Sequence, residues 1–539
     1  MRELVTHTPE GVRDIYGEAL DLQSAAEDRI EAVMNERGYR RIRTPALEFC
    51  DVFADDTSET GEMFRYQDRD GETLILRPDF TPGIARCAVK YFLEDDKPAR
   101  LSYRGSVFNN RRSLSGKLRE ETQIGAELYN DPSVRADAEI ISLAVDSLTA
   151  AGLKDVRISV GHMDYFYGFC EEAGLGEPAK DDLLDAVCDR NVKKAVRVLD
   201  EYSVSGQVRE KLLSIADFLS DDQDLEEMYA SATNDRSRNA VRRLMDLSGE
   251  LDRAGVSAHV TFDAGLLNRY RYYTGVVFRA YVSGIGEPVA RGGRYDDLLA
   301  RFGKDAPAVG FMALTDDLAS ALTAGDDEYL TIALGKGRLA KKTMELLAGC
   351  GIRCPEMEDD STRKLIFRDE ERKLAFFLAK GPDVPTYVEY KAADLGIVGA
   401  DTILEENRSV CEVLDLGFGK CRMCVCGRPE AAELLKHREM IRVATKYPGI
   451  ARDHFYNSRA QTAALIKLNG SVELGPIVGL ADVIVDIVET GSTLRENGLE
   501  VLEEIMPLSA RVIANPVSMQ LKGKRMKELL RAMKKGTSG

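Results

Sequence analysis

The sequence predicts a protein of several domains, in which an α+β part is followed by an α/β part. Its 539 residues are too many for one hydrophobic core, since domains usually hold roughly 100–200 residues. Alternating apolar and polar runs up to about residue 325 favour an antiparallel sheet with one covered face. In the remainder, continuous β-branched runs favour strands that are buried on both faces, as in a sheet between helices.

The first part contains two alternating runs that predict strands, at residues 73–77 and 272–278. Residues 181–251 are rich in Leu, Ala, Glu and Arg at helical spacing. They predict an inserted helical module, which we place at about residues 170–255. The polar stretch 323–328 predicts the domain boundary, so the two domains are expected to span residues 1–325 and 328–539.

The most informative segment of the second part is residues 482–494. An apolar β-branched run on both sides of Asp486 predicts a buried strand. The run ends in a turn with one glycine and three hydroxyl side chains: Glu489, Thr490, Gly491, Ser492 and Thr493. A helical pattern begins at Leu494, so the turn offers free backbone N–H groups and a helix N-terminus to an anion. With Asp486 placed to accept hydrogen bonds from ribose hydroxyls, the corner predicts a ribose 5-phosphate site, although an ordinary strand–turn–helix corner remains an alternative.

Composition excludes several classes of function. The net charge of −17 argues against a nucleic-acid-binding surface. The sequence has no apolar run of about 18 residues and no signal peptide, so we expect no membrane contact and a cytoplasmic location. Ten cysteines are too few for a disulfide scaffold, and Cys424 and Cys426 fit a strand core better than a zinc site.

Four segments resemble ATP phosphoribosyltransferase, the first enzyme of histidine biosynthesis, in the order of that family. The strand–turn–helix corner at residues 482–494, called the phosphate corner below, resembles the family signature together with Glu473, Gly479 and Ala481. The other segments are residues 330–339, 393–401 and 442–448. The resemblance covers roughly the last 210 residues. Too few residues follow Pro516 for the regulatory domain of the long form, so the segment resembles the short-form catalytic subunit.

This resemblance implies a fold and a reaction. The fold is a two-lobed, periplasmic-binding-protein-like α/β transferase, with lobe one at about 330–419 and 509–539 and lobe two at about 420–508. The reaction is the Mg²⁺-dependent condensation of ATP with phosphoribosyl pyrophosphate, which gives N1-(5-phosphoribosyl)-ATP and pyrophosphate. The residue types fit, because two polyanions must be held and a leaving pyrophosphate stabilised.

The resemblance also implies roles for single residues. The expected catalytic cations are Lys336, Arg338, Arg363 and Lys380. The expected substrate-binding residues are Gly337, Glu473, Asp486, Glu489, Thr490, Gly491, Ser492 and Thr493. Three departures from the family pattern predict a lower turnover: Gly335 in place of proline, Lys380 in place of arginine, and Lys391 in place of glycine.

The first part resembles the catalytic domain of histidyl-tRNA synthetase, a class II synthetase fold. Residues 38–48 resemble its dimer-forming motif, and residues 76–81, 123–127 and 291–296 resemble the elements around bound histidine. The expected histidine-binding residues are Asp79, Thr81, Gln123, Glu127, Tyr272, Tyr273 and Tyr295. Two carboxylates suit the ammonium group of histidine, and the tyrosines suit its imidazole ring.

Three departures argue against amino-acid activation. Asn109, Asn268 and Asp317 stand where the family has arginines, and activation needs cations around the triphosphate. Arg269 and Arg271 lie close enough in sequence to replace the arginine missing at Asn268. With no anticodon-binding domain expected, the first part resembles the synthetase-like regulatory subunit of ATP phosphoribosyltransferase. Histidine is then the expected inhibitor, and the chain is expected to form a homo-oligomer, a dimer or larger.

Two other functions remain open at this stage. A histidine-sensing regulatory protein with a degenerate transferase part is favoured by Lys380 and Lys391 and disfavoured by the intact phosphate corner. An active aminoacyl-tRNA synthetase is disfavoured by Asn109, Asp317 and the acidic charge, and histidine-driven ATP–pyrophosphate exchange separates it from the others.

Overall fold

A computed structural model describes residues 6–53, 63–95, 97–111, 116–220, 224–270, 272–324, 328–357, 364–436 and 440–537. The chain divides into two compact units, Met1–Asp327 and Glu328–Gly539. Part of the expected boundary, residues 325–327, lies outside the described residues. Among the described helices, none combines the length and the apolar character needed to cross a membrane.

The first unit is built from helices and strands in mixed order. Its described helices are α1 (Glu18–Glu36), α2 (Thr81–Tyr91), α3 (Val134–Ala150), α4 (Met163–Glu172), α5 (Glu177–Cys188), α6 (Val192–Glu201), α7 (Gly206–Ala216), α8 (Leu225–Ser231), α9 (Asp235–Arg253) and α10 (Thr315–Thr323). Its described strands are β1 (Arg40–Arg41), β2 (Leu47–Phe49), β3 (Arg65–Gln67), β4 (Thr73–Leu76), β5 (Ala99–Phe108), β6 (Glu120–Tyr129), β7 (Arg157–His162), β8 (Val260–Phe262), β9 (Val276–Tyr281), β10 (Ala290–Arg294) and β11 (Ala308–Leu314).

An eight-stranded sheet in the order β1-β5-β6-β11-β10-β9-β7-β8 forms the centre of this unit. The inner strands are antiparallel, but each edge strand is parallel to its neighbour, β1 to β5 and β8 to β7. The expectation of an antiparallel sheet is therefore confirmed for the inner strands and wrong at both edges. Helix α3 packs its buried Ile140, Ile141 and Ala144 into the same core as Ile124 of β6. Helices α5 to α9 follow one another within the segment predicted to be helical.

The paired tyrosines lie in a loop, although the alternating run 272–278 predicts a strand there. Strand β9 begins only at Val276, because Thr274 N–H bonds to the carbonyl oxygen of Arg294, beyond the ladder that pairs β9 with β10. The other predicted strand, residues 73–77, corresponds to β4, the middle strand of a separate sheet of order β2-β4-β3.

The described residues of the second unit form two sheets. Its described helices are α11 (Arg338–Gly349), α12 (Val384–Glu389), α13 (Ala400–Glu406), α14 (Ala432–Lys436), α15 (Pro448–Arg452), α16 (Leu474–Ile477), α17 (Ser492–Glu496), α18 (Pro516–Leu521) and α19 (Gly523–Thr537). Its described strands are β12 (Leu330–Gly335), β13 (Ile366–Asp369), β14 (Leu374–Ala379), β15 (Leu395–Gly399), β16 (Cys411–Asp415), β17 (Cys421–Gly427), β18 (Ile441–Thr445), β19 (Ala463–Lys467), β20 (Val483–Val488), β21 (Glu500–Leu508) and β22 (Ala510–Ala514).

One sheet has the order β13-β14-β12-β15-β22-β16, and the other β19-β18-β20-β17-β21. The first draws its strands from residues 330–415 and 510–514, and the second from residues 421–508. The chain therefore passes between the sheets twice. These two crossings bond to each other, since Leu416 N–H donates to Ala510 oxygen and Ala510 N–H donates to Phe418 oxygen.

The run around Asp486 forms β20, a central strand as its apolar sequence predicts. Val483, Ile484 and Val485 are fully buried. β20 is parallel to β18 but antiparallel to β17, so the sheet is mixed. Helix α17 begins at Ser492, two residues before the predicted start at Leu494, because Gly491 takes a left-handed conformation (φ 70°) and lets the chain turn into the helix immediately.

Candidate functional site

Glu127 lies at the centre of a buried cluster of predicted residues in the first unit. It projects from β6 opposite Gly310 of β11. A side chain at residue 310 would place its Cβ 1.5 Å from Glu127 Oε2, so only glycine leaves room for the carboxyl group. Thr81 Oγ1 donates to Glu127 Oε1 at 3.1 Å, and the Tyr295 hydroxyl donates to Glu127 Oε2.

Asp79 and Gln123 form a second contact beside this one. Gln123 Nε2 donates to Asp79 Oδ1 at 3.0 Å, and the backbone N–H of Phe80 donates to the same oxygen at 2.7 Å. Gln123 Oε1 is buried without a hydrogen-bond partner among the described residues. A buried acceptor of this kind usually has a partner, so a ligand with a donor group would complete the arrangement.

Burial controls the charge of both carboxyl groups. It raises the pKa of Glu127 to about 8, and the nearby Asp79 adds to this effect while the Tyr295 hydroxyl opposes it. Burial also raises the pKa of Asp79, against the hydrogen bond from Gln123. A cationic group placed between them would stabilise the ionised forms, as expected for the ammonium group of an amino acid.

Three predicted tyrosines form an aromatic wall near the carboxyl groups. The ring centroids of Tyr272 and Tyr273 are 4.7 Å apart, and the ring of Tyr295 lies 6.0 Å from Tyr272 and 6.4 Å from Tyr273 in edge contacts. The structure thus brings together all seven residues predicted to bind histidine: Asp79, Thr81, Gln123, Glu127, Tyr272, Tyr273 and Tyr295.

Asn109 and Asn268, two of the three positions that lack arginine, form hydrogen bonds. Asn109 is buried, and its N–H donates to Arg119 oxygen. Asn268 Oδ1 accepts from the N–H of Tyr270. Arg269 pairs with Asp185 on α5, to which its Nε donates at 2.8 Å, and Arg271 lies outside the described residues. Burial and the nearby Glu287 raise the pKa of Asp317 to about 6.

The phosphate corner of the second unit is exposed at the end of β20. Thr490 Oγ1 and Ser492 Oγ lie 3.1 Å apart, and Ser492 N–H points to Thr490 Oγ1 at 3.5 Å. Gly491 adopts its left-handed conformation between them. The exposed hydroxyls and N–H groups of residues 490–493 are donors that suit a phosphate group.

Cations of the other sheet are brought next to this corner. β12 and β14 are parallel and pair Gly335 with Ala379, so Lys336 and Lys380 follow at the same edge of the sheet. Gly337 (φ 99°) precedes α11, whose first residue, Arg338, forms a 3.2 Å ion pair with Glu489. Both side chains are mostly exposed, so the pair contributes little stability and an arriving phosphate can displace the carboxylate. Arg363, the fourth predicted cation, lies outside the described residues.

Asp486 and Glu473 lie close enough to influence each other. Burial raises the pKa of Asp486, with Glu473 and Asp401 adding to the increase. Both side chains are half-buried, as needed for residues that accept hydrogen bonds from a ribose. Among the described residues, no group of three or more His, Cys, Asp or Glu side chains forms a metal site, and that includes the cysteines of β17.

Comparison with known proteins separates the two units. Residues 11–318, more than half of the chain, match the family model of histidyl-tRNA synthetase, and residues 380–535 match that of ATP phosphoribosyltransferase. Over 203 residues the chain is 66% identical to the ATP phosphoribosyltransferase of Lachnoclostridium phytofermentans, covering 38% of this chain and 94% of that relative. The chain belongs to the histidyl-tRNA synthetase family in its first unit and to the ATP phosphoribosyltransferase family in its second.

The first unit resembles regulatory subunits of ATP phosphoribosyltransferase. It is 34% identical over 313 residues to the ATP phosphoribosyltransferase regulatory subunit of Acetivibrio thermocellus, covering 58% of this chain and 75% of that relative. A solved structure described as an ATP phosphoribosyltransferase regulatory subunit/histidyl-tRNA synthetase from Bacillus halodurans C is 28% identical with a TM-score of 0.55, covering 66% of this chain and 93% of that one. The class II synthetase-like fold is therefore confirmed.

Three residues near Asp486 lie in the segments 393–401 and 442–448 that resemble the family, but the sequence assigned them no role. Asp401 follows β15, and Lys446 and Tyr447 follow β18. The Tyr447 hydroxyl donates to Asp401, and the charges of Asp401 and Lys446 both act on Asp486. Their positions just after predicted strands could have indicated a role, because ligands in α/β folds bind beyond the carboxyl ends of the strands.

Proposed function

We propose that the transferase unit joins the phosphoribosyl group of phosphoribosyl pyrophosphate to N1 of ATP, and that histidine bound in the first unit inhibits this reaction. The observation that supports the catalytic part is the intact phosphate corner, which lies beside Asp486. Its Glu489 pairs with Arg338, the last residue of the cationic segment 336–338. A transferase unit that had lost its activity would not need to keep hydrogen-bond donors at residues 490–493, the carboxylate of Asp486 and the cation of Arg338 close together.

The residue roles follow from the charges. Residues 490–493 would bind the 5-phosphate through hydroxyls and N–H groups, and Asp486 and Glu473 would accept hydrogen bonds from the ribose. Lys336, Arg338 and Lys380 would bind the pyrophosphate, with Arg363 as a further candidate. The lone pair of N1 forms the bond to C1′ while the bond from C1′ to pyrophosphate breaks, and the electron pair leaves with pyrophosphate. Catalysis then consists of alignment and of charge stabilisation.

Mg²⁺ fits this site as a companion of the substrates. Mg²⁺ is usually bound through one or two carboxylates together with substrate phosphates, so a cage built from protein side chains is not required. Asp486 and Glu473 are carboxylates at the expected place. When bound, the ion would neutralise the charge of the pyrophosphate group.

The two-lobed, periplasmic-binding-protein-like architecture belongs to the same proposal. Two sheets joined by two hydrogen-bonded crossings support lobes of about 330–419 with 509–539 and about 420–508. Such lobes can change between open and closed states. Histidine would inhibit only if its affinity differs between the active and inactive states of the chain.

Histidine fits the cluster around Glu127. Its ammonium group would lie against Glu127 and Asp79, its imidazole against Tyr273 and Tyr295, and a donor would satisfy Gln123. Because Asn109, Asn268 and Asp317 supply no cation for a triphosphate, we propose binding of histidine without its activation.

The sheet β2-β4-β3 supports a homo-oligomer. Leu47, Phe49 and Tyr66 are exposed on it. Phe49 and Tyr66 both pair with Leu74 of β4, so the three side chains lie in register on one face. We propose that this apolar face binds a second copy of the chain, as a dimer or larger assembly.

The test is formation of phosphoribosyl-ATP from ATP, phosphoribosyl pyrophosphate and Mg²⁺, followed by absorbance with and without histidine. Activity that histidine suppresses is expected, and Glu127→Gln should keep the activity and lose the suppression. Activity indifferent to histidine would contradict the regulatory part. Histidine binding without activity would instead support the sensor with a degenerate transferase, which Lys380 and Lys391 favour.

A further inference from the structure

Lys446 is an exposed cation at the carboxyl end of β18. β18 runs parallel to β20 and pairs Thr445 with Val485, so Lys446 and Asp486 are the next residues on neighbouring strands. The positive charge of Lys446 acts on Asp486 and on Asp401, opposing the burial that raises the pKa of each. Lys446 therefore lies beside the proposed ribose site.

The backbone on both sides of Lys446 is fixed to its own sheet. Thr445 is fully buried, and its hydroxyl donates to Val485 oxygen of β20 at 2.7 Å. The same hydroxyl oxygen accepts from the N–H of Tyr447 at 2.8 Å. One side chain thus holds the residues before and after Lys446 at a fixed distance from the strand that carries Asp486.

Helix α13, which follows β15 of the other sheet, holds the same turn from the opposite side. Asp401 accepts from the Tyr447 hydroxyl. Glu405, one helical turn later, accepts from the N–H of Gly449 and of Ile450, each at 3.1 Å. Asp401 and Glu405 are four residues apart, so they share one face of the helix. Both carboxylates are therefore directed at the turn that contains Lys446.

The side chain of Lys446, unlike the backbone around it, is not fixed by hydrogen bonds. Among the described residues it makes no hydrogen bond or ion pair, and its ammonium lies 5.7 Å from the centre of the Tyr447 ring. Two other cations of the unit differ, since Arg442 pairs with Asp482 and Arg338 with Glu489. A free ammonium on a fixed backbone is preorganised to bind an anion.

We propose that Lys446 binds phosphate oxygens of a substrate beside Asp486, and that Asp401, Tyr447 and Glu405 act as positioning residues for it. This proposal rests on the proposed function, because the ligand is taken to be the pyrophosphate group of phosphoribosyl pyrophosphate or the triphosphate group of ATP. Substrate binding would thereby involve both sheets, since α13 follows one and Lys446 the other.

The test compares Lys446→Gln, Lys446→Arg and the matched control Lys436→Gln in the full chain. Lys436 is an exposed lysine of the same sheet region that pairs with Glu433. In steady-state kinetics, Lys446→Gln should lose roughly tenfold or more in kcat/KM, as expected for a charge-assisted contact, while Lys446→Arg keeps most of it. An increased KM for phosphoribosyl pyrophosphate assigns the contact to that substrate, and an increased KM for ATP assigns it to the triphosphate.

Binding of inorganic pyrophosphate with Mg²⁺, measured by calorimetry, provides a readout independent of turnover. Lys446→Gln should bind it more weakly than the wild type and the control. Tyr447→Phe should raise the same KM as Lys446→Gln and leave the KM of the other substrate unchanged, a selectivity that a purely structural role would not produce. Unaltered kinetics and pyrophosphate affinity in Lys446→Gln would overturn the proposal. An inactive wild type would contradict the proposed function instead, and the pyrophosphate comparison would still decide the role of Lys446.

Discussion

Glu127 shows how burial sets the charge of a single residue. Its carboxyl group is enclosed by Thr81, Tyr295 and the backbone at Gly310, and burial raises its pKa to about 8. The group is therefore mostly protonated at pH 7 in the free protein. An ammonium ion beside it would favour the ionised form and lower that pKa.

Histidine binding at pH 7 should consequently release a proton from Glu127. The release should shrink as the pH rises from 7 to above 8, because the free carboxyl group is then already ionised. Calorimetry in buffers of different ionisation enthalpy measures the number of protons released. Imidazolepropionate, which lacks the ammonium group, serves as the control and should release none. Equal heats in all buffers at pH 7 would contradict this account.

Asp486 is the carboxylate on which the proposed ribose contact depends. Asp486→Asn should lower kcat/KM for phosphoribosyl pyrophosphate roughly 10- to 100-fold, since hydrogen bonds to a charged group contribute about 1.5–3 kcal/mol. Asp453→Asn, an exposed position of the same sheet region, should leave the kinetics unchanged. If both variants behave alike, Asp486 does not contact the substrate.

At the scale of elements, close approach between strands decides which glycines are required. β6 and β11 place Gly310 opposite Glu127, where a Cβ has no room, whereas Gly249, near the end of α9, has open space around it. The two glycines therefore make a matched pair for the same substitution.

Gly310→Ala should destabilise the first unit and abolish histidine binding, because the Cβ and the Glu127 carboxyl group cannot occupy the same space. Gly249→Ala should stabilise the protein by about 1 kcal/mol through helix propensity. Denaturant unfolding and histidine titration of both variants measure these effects. A Gly310→Ala variant as stable as the wild type would contradict this account, because it would mean that the space between β6 and β11 accommodates a Cβ at residue 310.

Lys391 bears out the strain predicted from its sequence position. It follows α12 with φ 56°, in the left-handed region where glycine is preferred, and its N–H donates to Val388 oxygen. Lys391→Gly should be more stable than Lys391→Ala by about 1 kcal/mol, because both lack the lysine side chain and only alanine keeps the strained Cβ. Thermal unfolding compares the two, and equal stability would mean that the conformation is not strained.

The whole molecule combines a synthetase-like unit and a transferase unit in one chain, so the oligomeric state of one determines the number of copies of the other. If the apolar face of β2-β4-β3 joins two chains, Phe49→Asp should reduce the molecular mass measured by light scattering to that of smaller species. Tyr91→Asp, another exposed aromatic position outside this sheet, is the control and should leave the mass unchanged. An unchanged mass in Phe49→Asp would place the interface elsewhere.

The sequence by itself determined both families and most of the candidate site, because those residues lie in short contiguous segments. The phosphate corner consists of a strand, a turn and the start of a helix within thirteen residues. This local sequence is sufficient to predict an anion-binding site without knowledge of the fold. The sequence also predicts Asp79, Thr81, Gln123 and Glu127 as histidine-binding residues, since each lies in a segment that resembles the family.

Only the tertiary structure decided properties that depend on distant partners. Tyr295, 168 positions from Glu127, and Gly310 enclose that carboxyl group and so set its pKa. Arg269 pairs with Asp185, 84 positions away, a contact that its place in the sequence does not indicate. Lys446 lies beside Asp486 because β18 and β20 pair. Ionisation and contact depend on burial and distance in space, and no local pattern of residues specifies either.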